Sequence, residues 1–295
     1  MNVAPLPRSL LFAPAVRPDL MVKAAASGAD ALIFDLEDSV PPAAKAEARR
    51  ALTAALTAHI GPPVYVRINH PAADDAAADI AALAGERLAG VFLPKAERPE
   101  EVQYVDGLLR AAEARLGRPD GGLCLVPMIE TCLGLRHAYD LARAAPRVGG
   151  ACLSSGEEGD FMVDLGGRWT PEGEALLYAR GRLACESRAA GIEWLIDGVF
   201  MALDDEPALR RDARTARNMG YVAKMAIHPR QIAAIHDAFS PTAAEIDHAA
   251  GLVDAMRAAE AGGRGAVRYR GMMVDYANLK RAQKILAQAE RGKTA

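Results

Sequence analysis

The amino-acid sequence predicts a parallel (β/α)8 barrel, a TIM-type fold, with a helical extension at its C-terminal end. Three observations carry that prediction. Eight short apolar, β-branched runs recur along the chain, Ala-rich segments of helical period separate most of them, and each run turns polar at its end or just beyond. Continuous apolar runs suit parallel strands covered on both faces, and their alternation with helices suits a repeated βα unit.

Taken in order, the runs are SLLFAP (9–14), ALIFDL (31–36), VYVRIN (64–69), GVFLPK (90–95), LCLVPMIE (123–130), ACLSSG (151–156), EWLIDG (193–198) and AKMAIHP (223–229). Helical segments such as RPDLMVKAAASG (17–28) and EALLYARGRLACESRAAG (174–191) lie between them. The barrel is expected to close near residue 230, giving a catalytic domain over 1–230. Residues 231–295 hold helical segments, a Gly-rich break EAGGRGAVRYRG (260–271) and a last segment, MMVDYANLKRAQKILAQAERG (272–292), in which Asp275 reads from the residues alone as a helix cap. This tail is too short for an independent domain and reads as an extension packing on a neighbouring subunit.

Composition narrows the function classes. With 295 residues and 51% hydrophobic content the chain can bury a large core. Lys+Arg 35 against Asp+Glu 38 leaves no basic field for nucleic acid or anionic membrane. No apolar stretch approaches the roughly 20 residues that span a bilayer, so a soluble cytoplasmic protein is expected. Cys124, Cys132, Cys152 and Cys185 form no CxxC pair, which favours reduced structural thiols over a zinc site or disulfide framework.

In a (β/α)8 barrel the site is built where the strands end, so the residue at which each run turns polar points towards one shared mouth. Those residues are Asp35, Glu37 and Asp38, then Arg67 and Asn69, Lys95, Glu130, Asp160, Asp197 and His228. A carboxylate-rich set without thiolates suits a hard, oxygen-loving cation such as Mg²⁺, which takes one or two carboxylates and keeps positions for water and substrate. Arg67 suits a substrate carboxylate held in a bidentate fork. Asp197 and Lys95 read equally well as helix caps or ion pairs, and His228, which precedes a proline, as a turn residue.

The segments RSLLFAPAVRPDLMVKAAASGADALIFDLEDSVPPAAKAEAR, VYVRIN, GVFLPKAE, LVPMIETCLGL, DFMVDLGG, AAGIEWLIDGVF, GYVAKMAIHPRQI and GMMVDYANLKRAQKIL occur in an order that resembles the HpcH/HpaI aldolase/citrate lyase superfamily, in its citrate lyase β-subunit-like branch of CoA-ester lyases. The resemblance covers nearly the whole chain and implies a trimer or hexamer. It implies Mg²⁺ on Glu130 and Asp160, with Glu157 or Glu158 as substitutes because the sixth-strand loop is one residue longer than usual. It also implies a substrate carboxylate on Arg67, and Asp35, Glu37 and Asp38 lining the pocket. Arg17, Lys23 and Lys45 are implied for the phosphates of CoA, and Asp275 as an acid or base offered to a neighbouring subunit. The implied reaction is a reversible Claisen-type cleavage of a 3-hydroxyacyl-CoA, such as malyl-CoA or citramalyl-CoA, to a 2-oxo acid and acetyl-CoA or a homologue. An aldolase acting on free 2-oxo acids, a citrate lyase β subunit acting on a carrier-bound acyl chain among partner subunits, and a barrel without activity stay open. Ala15 and Ala223 stand where the family usually has glycine.

Overall fold

The structure, a computed structural model, describes residues 6–170 and 172–291; the outermost ends of both sequence-drawn domains, 1–5 and 292–295, lie outside the described residues. Eight parallel strands form a closed barrel: β1 (Ser9–Pro14), β2 (Ala31–Asp35), β3 (Val64–Arg67), β4 (Leu88–Leu93), β5 (Cys124–Ile129), β6 (Gly150–Leu153), β7 (Trp194–Asp197) and β8 (Ala223–Ala226). They pair in sequence order, and β8 returns to β1. All eight apolar runs are strands. Among the intervening helices are Lys45–Ala58, Pro99–Leu116, Glu174–Ala189 and Glu206–Asn218, each burying one apolar stripe.

The two-residue period of a strand decides which side chains enter the barrel. Ala31 and Ile33 of β2, Tyr65 of β3, Trp194 and Ile196 of β7, and Ala223 and Met225 of β8 share one interior cluster. Tyr65, Phe92 and Trp194 interlock there, with Tyr65 5.6 Å from Phe92 and 5.2 Å from Trp194 between ring centroids. Gly150 makes room for the indole, since a Cβ at that position would stand 2.7 Å from Trp194. Continuing the same count, Asp35, Arg67 and Glu130 point inward, whereas Asp197 and Lys224 take the opposite parity and face the helices.

The described chain divides into two compact units, Leu6–Ala238 and a second that runs on from Phe239. The division lies a few residues beyond 230 because the helix Ile232–Phe239 belongs largely to the barrel. His236 Nε2 is 2.8 Å from Ser9 Oγ and 3.2 Å from Asp30.

The second unit contains the helix Ala243–Ala261, which opens on a capping box between Thr242 and Glu245. An antiparallel hairpin follows, β9 (Val267–Tyr269) with β10 (Met272–Val274), and then the helix Tyr276–Arg291. The helical extension expected for the tail is therefore interrupted by a hairpin, and its last helix starts only after Asp275. Arg270 (φ 45°) and Gly271 (φ 86°) supply the two left-handed residues that a tight two-residue hairpin turn needs, which makes Met272–Val274 a strand. Val274 packs with Leu252, Val253, Met256 and Ala282 in this unit's own core.

No helix among the described residues is long and apolar enough to cross a membrane. All four cysteines are free; Cys152 is buried, but Cys132 and Cys185 are exposed, so structural burial does not account for those two.

Candidate active site at the barrel mouth

The site begins with a strand register. Asp35 and Arg67 are paired residues on β2 and β3, which sets a carboxylate beside a guanidinium at the barrel rim. Arg67 Nε and Nη2 donate to the two Asp35 oxygens, both at 2.7 Å, and the guanidinium lies 5.1 Å from the centre of the Phe12 ring. Asp35 also accepts the backbone N–H groups of Glu37 and Ser39, which folds the chain after β2 back over the mouth. Burial opposes the charged form of Asp35, but Arg67 and these donors more than offset it and hold the carboxyl below its usual range.

This geometry corrects the sequence reading of two residues. The bidentate fork of Arg67 is occupied by Asp35, so it is not free for a substrate, and Asp35, only 1% exposed, orients Arg67 and does not line open space. What Arg67 presents to the mouth is Nη1, 2.9 Å from Glu37 Oε2. That approach is not aligned as a hydrogen bond, and Glu37 Oε2 is buried without one. Burial accordingly pushes the Glu37 carboxyl up, against the opposing pull of Arg67 and Lys95.

Lys95, just beyond β4, ties the remaining carboxylates together. Its ammonium lies 2.5 Å from Glu37 Oε1, 3.1 Å from Asp160 Oδ2 and 3.3 Å from Asp38 Oδ2, while its backbone N–H donates to Glu130 Oε2 at 2.7 Å. Burial disfavours the Lys95 charge, but these partners outweigh it and keep the amine firmly protonated. Glu130 follows β5 and is 2% exposed; its other oxygen accepts no hydrogen bond from the described residues. Burial raises its pKa to about 7 even though Arg67 pulls the other way. Asp160 starts the helix Asp160–Leu165 and is the acidic residue after β6 that reaches the cluster; Glu157 and Glu158 are exposed and make no such contact.

Five carboxylates thus meet two cations, leaving an excess of negative charge around Glu130 and Asp160. No trio of His, Cys, Asp or Glu among the described residues is arranged to hold an ion unaided. A magnesium ion does not require one, because one or two carboxylates with water and substrate oxygens complete its octahedron. The all-oxygen donors, the charge excess and the free Glu130 oxygen fit such an ion.

The other sequence-chosen residues have different fates. Lys45 donates to Leu36 O, Glu37 O and Asn69 Oδ1 at 2.6–2.7 Å; with three donors spent it pins the loop after β2 and has none left for a phosphate. Arg17 and Lys23 are exposed and share Asp19. His228 accepts the N–H of Arg230 and caps a short turn. Asp197 is sealed among Arg180, Lys224 and Ser155, away from the mouth set. Asp275, in the second unit, accepts the N–H groups of Ala277 and Asn278 and caps the last helix. The sequence places Lys95 at the mouth and leaves its role open between cap, ion pair and function; the structure makes it an ion pair to three carboxylates, a set of partners that a lysine after a strand does not signal.

Comparison with known proteins identifies this architecture. The family model described as HpcH/HpaI aldolase/citrate lyase matches residues 8–229, most of the chain. The chain belongs to that family. Within the HpcH/HpaI family, citrate lyase subunit beta of Leuconostoc mesenteroides subsp. cremoris is 34% identical, over 98% of this chain and 95% of the relative. L-malyl-CoA/beta-methylmalyl-CoA lyase of Cereibacter sphaeroides is 32% identical, over 96% and 94%. The crystal structure of protein CitE from Mycobacterium tuberculosis in complex with magnesium, acetoacetate and coenzyme A is 31% identical, with a TM-score of 0.78 over 97% of this chain and 98% of that one.

Proposed function

We propose that this HpcH/HpaI-family chain is a magnesium-dependent carbon–carbon lyase. It cleaves, or in reverse forms, a CoA ester of a 3-hydroxy acid that carries a carboxylate on the hydroxyl-bearing carbon, as malyl-CoA or citramalyl-CoA does. The observation that carries the reading is Glu130: a buried carboxylate with one uncommitted oxygen, set beside Arg67 and Asp160 in a mouth with excess negative charge. The malyl-CoA lyase relative and the magnesium- and CoA-bound related structure support it.

Glu130 and Asp160 would hold the ion, which when bound would polarise the substrate hydroxyl and stabilise negative charge on its oxygen. Arg67 Nη1, kept in place by Asp35, would fix the substrate carboxylate in exchange for Glu37. Glu37, with a buried oxygen lacking a hydrogen bond, suits the acceptor of the hydroxyl proton, and Asp38 lines the open side. The carbon–carbon bond then breaks, its electrons pass to the thioester as an enolate, and a 2-oxo acid is released. Asp275 of a neighbouring subunit in a homo-oligomer, trimer or hexamer, would protonate the enolate carbon. Arg17 and Lys23 would meet the CoA phosphates.

The citrate lyase subunit among the relatives favours a second reading, in which the same chemistry acts on an acyl chain carried by a partner protein. Cleavage of malyl-CoA, citramalyl-CoA and β-methylmalyl-CoA by the purified protein, followed by 2-oxo acid release, decides between them. Turnover lost with EDTA, in Arg67→Lys and in Asp275→Asn is the expected result. No turnover on any ester, with Mg²⁺ still bound, would replace it with the carrier-dependent reading or with an aldolase acting on free 2-oxo acids.

A further inference from the structure

Lys95 is the residue of the mouth whose role the reaction scheme leaves unassigned, and its backbone is unusual. Its φ of 47° lies in the left-handed region, which side chains other than glycine, asparagine and aspartate rarely adopt. That conformation lets one residue address the site twice. The N–H points to Glu130, and the ammonium returns to Glu37, Asp38 and Asp160. Lys95 therefore touches both carboxylates assigned to the ion, one through its backbone and one through its side chain.

The two contacts act in opposite directions on an incoming cation. The N–H holds Glu130 in place and costs a divalent ion nothing. The ammonium, 3.1 Å from Asp160 Oδ2, stands where positive charge is favoured by the whole cluster. A second cation drawn to Asp160 meets that charge at close range, and repulsion over such a distance in a half-buried site is far stronger than in water.

Resting on the magnesium reading above, we propose that Lys95 is a tethered cation that keeps the mouth carboxylates assembled and competes with the divalent ion for Asp160. The ion then binds weakly alone and tightly once an anionic 2-oxo acid joins it, because the acid supplies the negative charge that lets both cations stay. Lys95 is thus a positioning residue that links metal occupancy to substrate occupancy.

The test is titration of the metal-free protein with Mn²⁺, counting free ion by electron paramagnetic resonance, with and without pyruvate. Lys95→Gly and Lys95→Asn remove the ammonium while tolerating the left-handed backbone, and circular dichroism melts confirm folding. Both variants are expected to bind Mn²⁺ roughly tenfold more tightly than wild type without pyruvate, and to gain less from pyruvate than wild type does. Lys95→Arg keeps the charge and is expected to stay within about threefold of wild type. Unchanged or weaker binding in both neutral variants overturns the proposal and makes Lys95 a structural tie. If wild type binds no Mn²⁺ and Glu130→Gln is indistinguishable from it, the magnesium reading falls and this proposal with it.

Discussion

The barrel carries two charge clusters built from the same kinds of residue, and they are opposites. In one, Asp197 and Asp212 face Arg180 and Lys224: Arg180 donates to both Asp197 oxygens and to Asp212, and Lys224 Nζ lies 2.6 Å from each aspartate. Two anions meet two cations, all four residues are buried, and the charges balance, although Arg180 Nη1 is buried there without a hydrogen bond. At the mouth, five carboxylates meet two cations, Glu37 keeps a buried oxygen without a hydrogen bond, and Glu130 has one oxygen uncommitted. The balanced cluster ties the outside of β7 and β8 to two helices; the unbalanced one leaves negative charge and a Glu130 oxygen open, which is what the proposed ion would take up. Polarity at a strand end is not enough to mark a site. The charge left unanswered is the better marker.

The sharpest way to break this contrast is at the balanced cluster. Lys224→Met leaves Asp197 and Asp212 short of a cation in the interior, and the expected cost is about 3–5 kcal/mol of stability by chemical denaturation. A loss below about 1 kcal/mol would mean that the cluster is not sealed.

The mouth should respond in the reverse sense. In the metal-free protein Glu130 is raised from 4.5 to about 7 by burial, so the folded state holds its proton more tightly than the unfolded chain. The associated stability is fully present below about 4.5 and is lost as pH rises towards about 7, a change of about 3 kcal/mol at roughly 1.4 kcal/mol per unit. Glu130→Gln in EDTA should flatten that dependence and melt higher than wild type at pH 8. A variant that keeps the wild-type profile in thermal melts would assign the titration elsewhere. Smallest of all, Asp38→Asn removes an exposed carboxylate at 59% side-chain exposure, and its effect on the melting transition should stay within about 0.5 kcal/mol.

The strands were legible in the sequence because buried parallel strands are continuous apolar runs, and each of the eight was found. So was the shared mouth: Glu37, Asp38, Arg67, Glu130 and Asp160 meet there, with Asp35 behind Arg67. Asp197 was misplaced among the mouth residues, yet a signal for it existed. Counting by twos from Trp194 and Ile196, which face inward, puts Asp197 outside, whereas Asp35 shares the parity of Ala31 and Ile33. Lys45 was not legible, because a helix-start lysine looks the same whether it meets solvent or three oxygens of a loop. The hairpin before the last helix was hidden because one of its two turn residues is an arginine, which as a residue type gives no hint of a positive φ.

The interlocked rings of Tyr65, Phe92 and Trp194 fill the barrel interior beneath the mouth, and the Trp194 indole donates to Pro7 O. This side of the molecule is a well and not a tunnel. Whatever enters by the mouth leaves by the mouth, so when two fragments lie one below the other the deeper one waits for the shallower. The plug reaches close below the site itself, since Tyr65 stands two residues before Arg67 on the same face of β3, so the floor of the well and the core of the barrel are one packed layer.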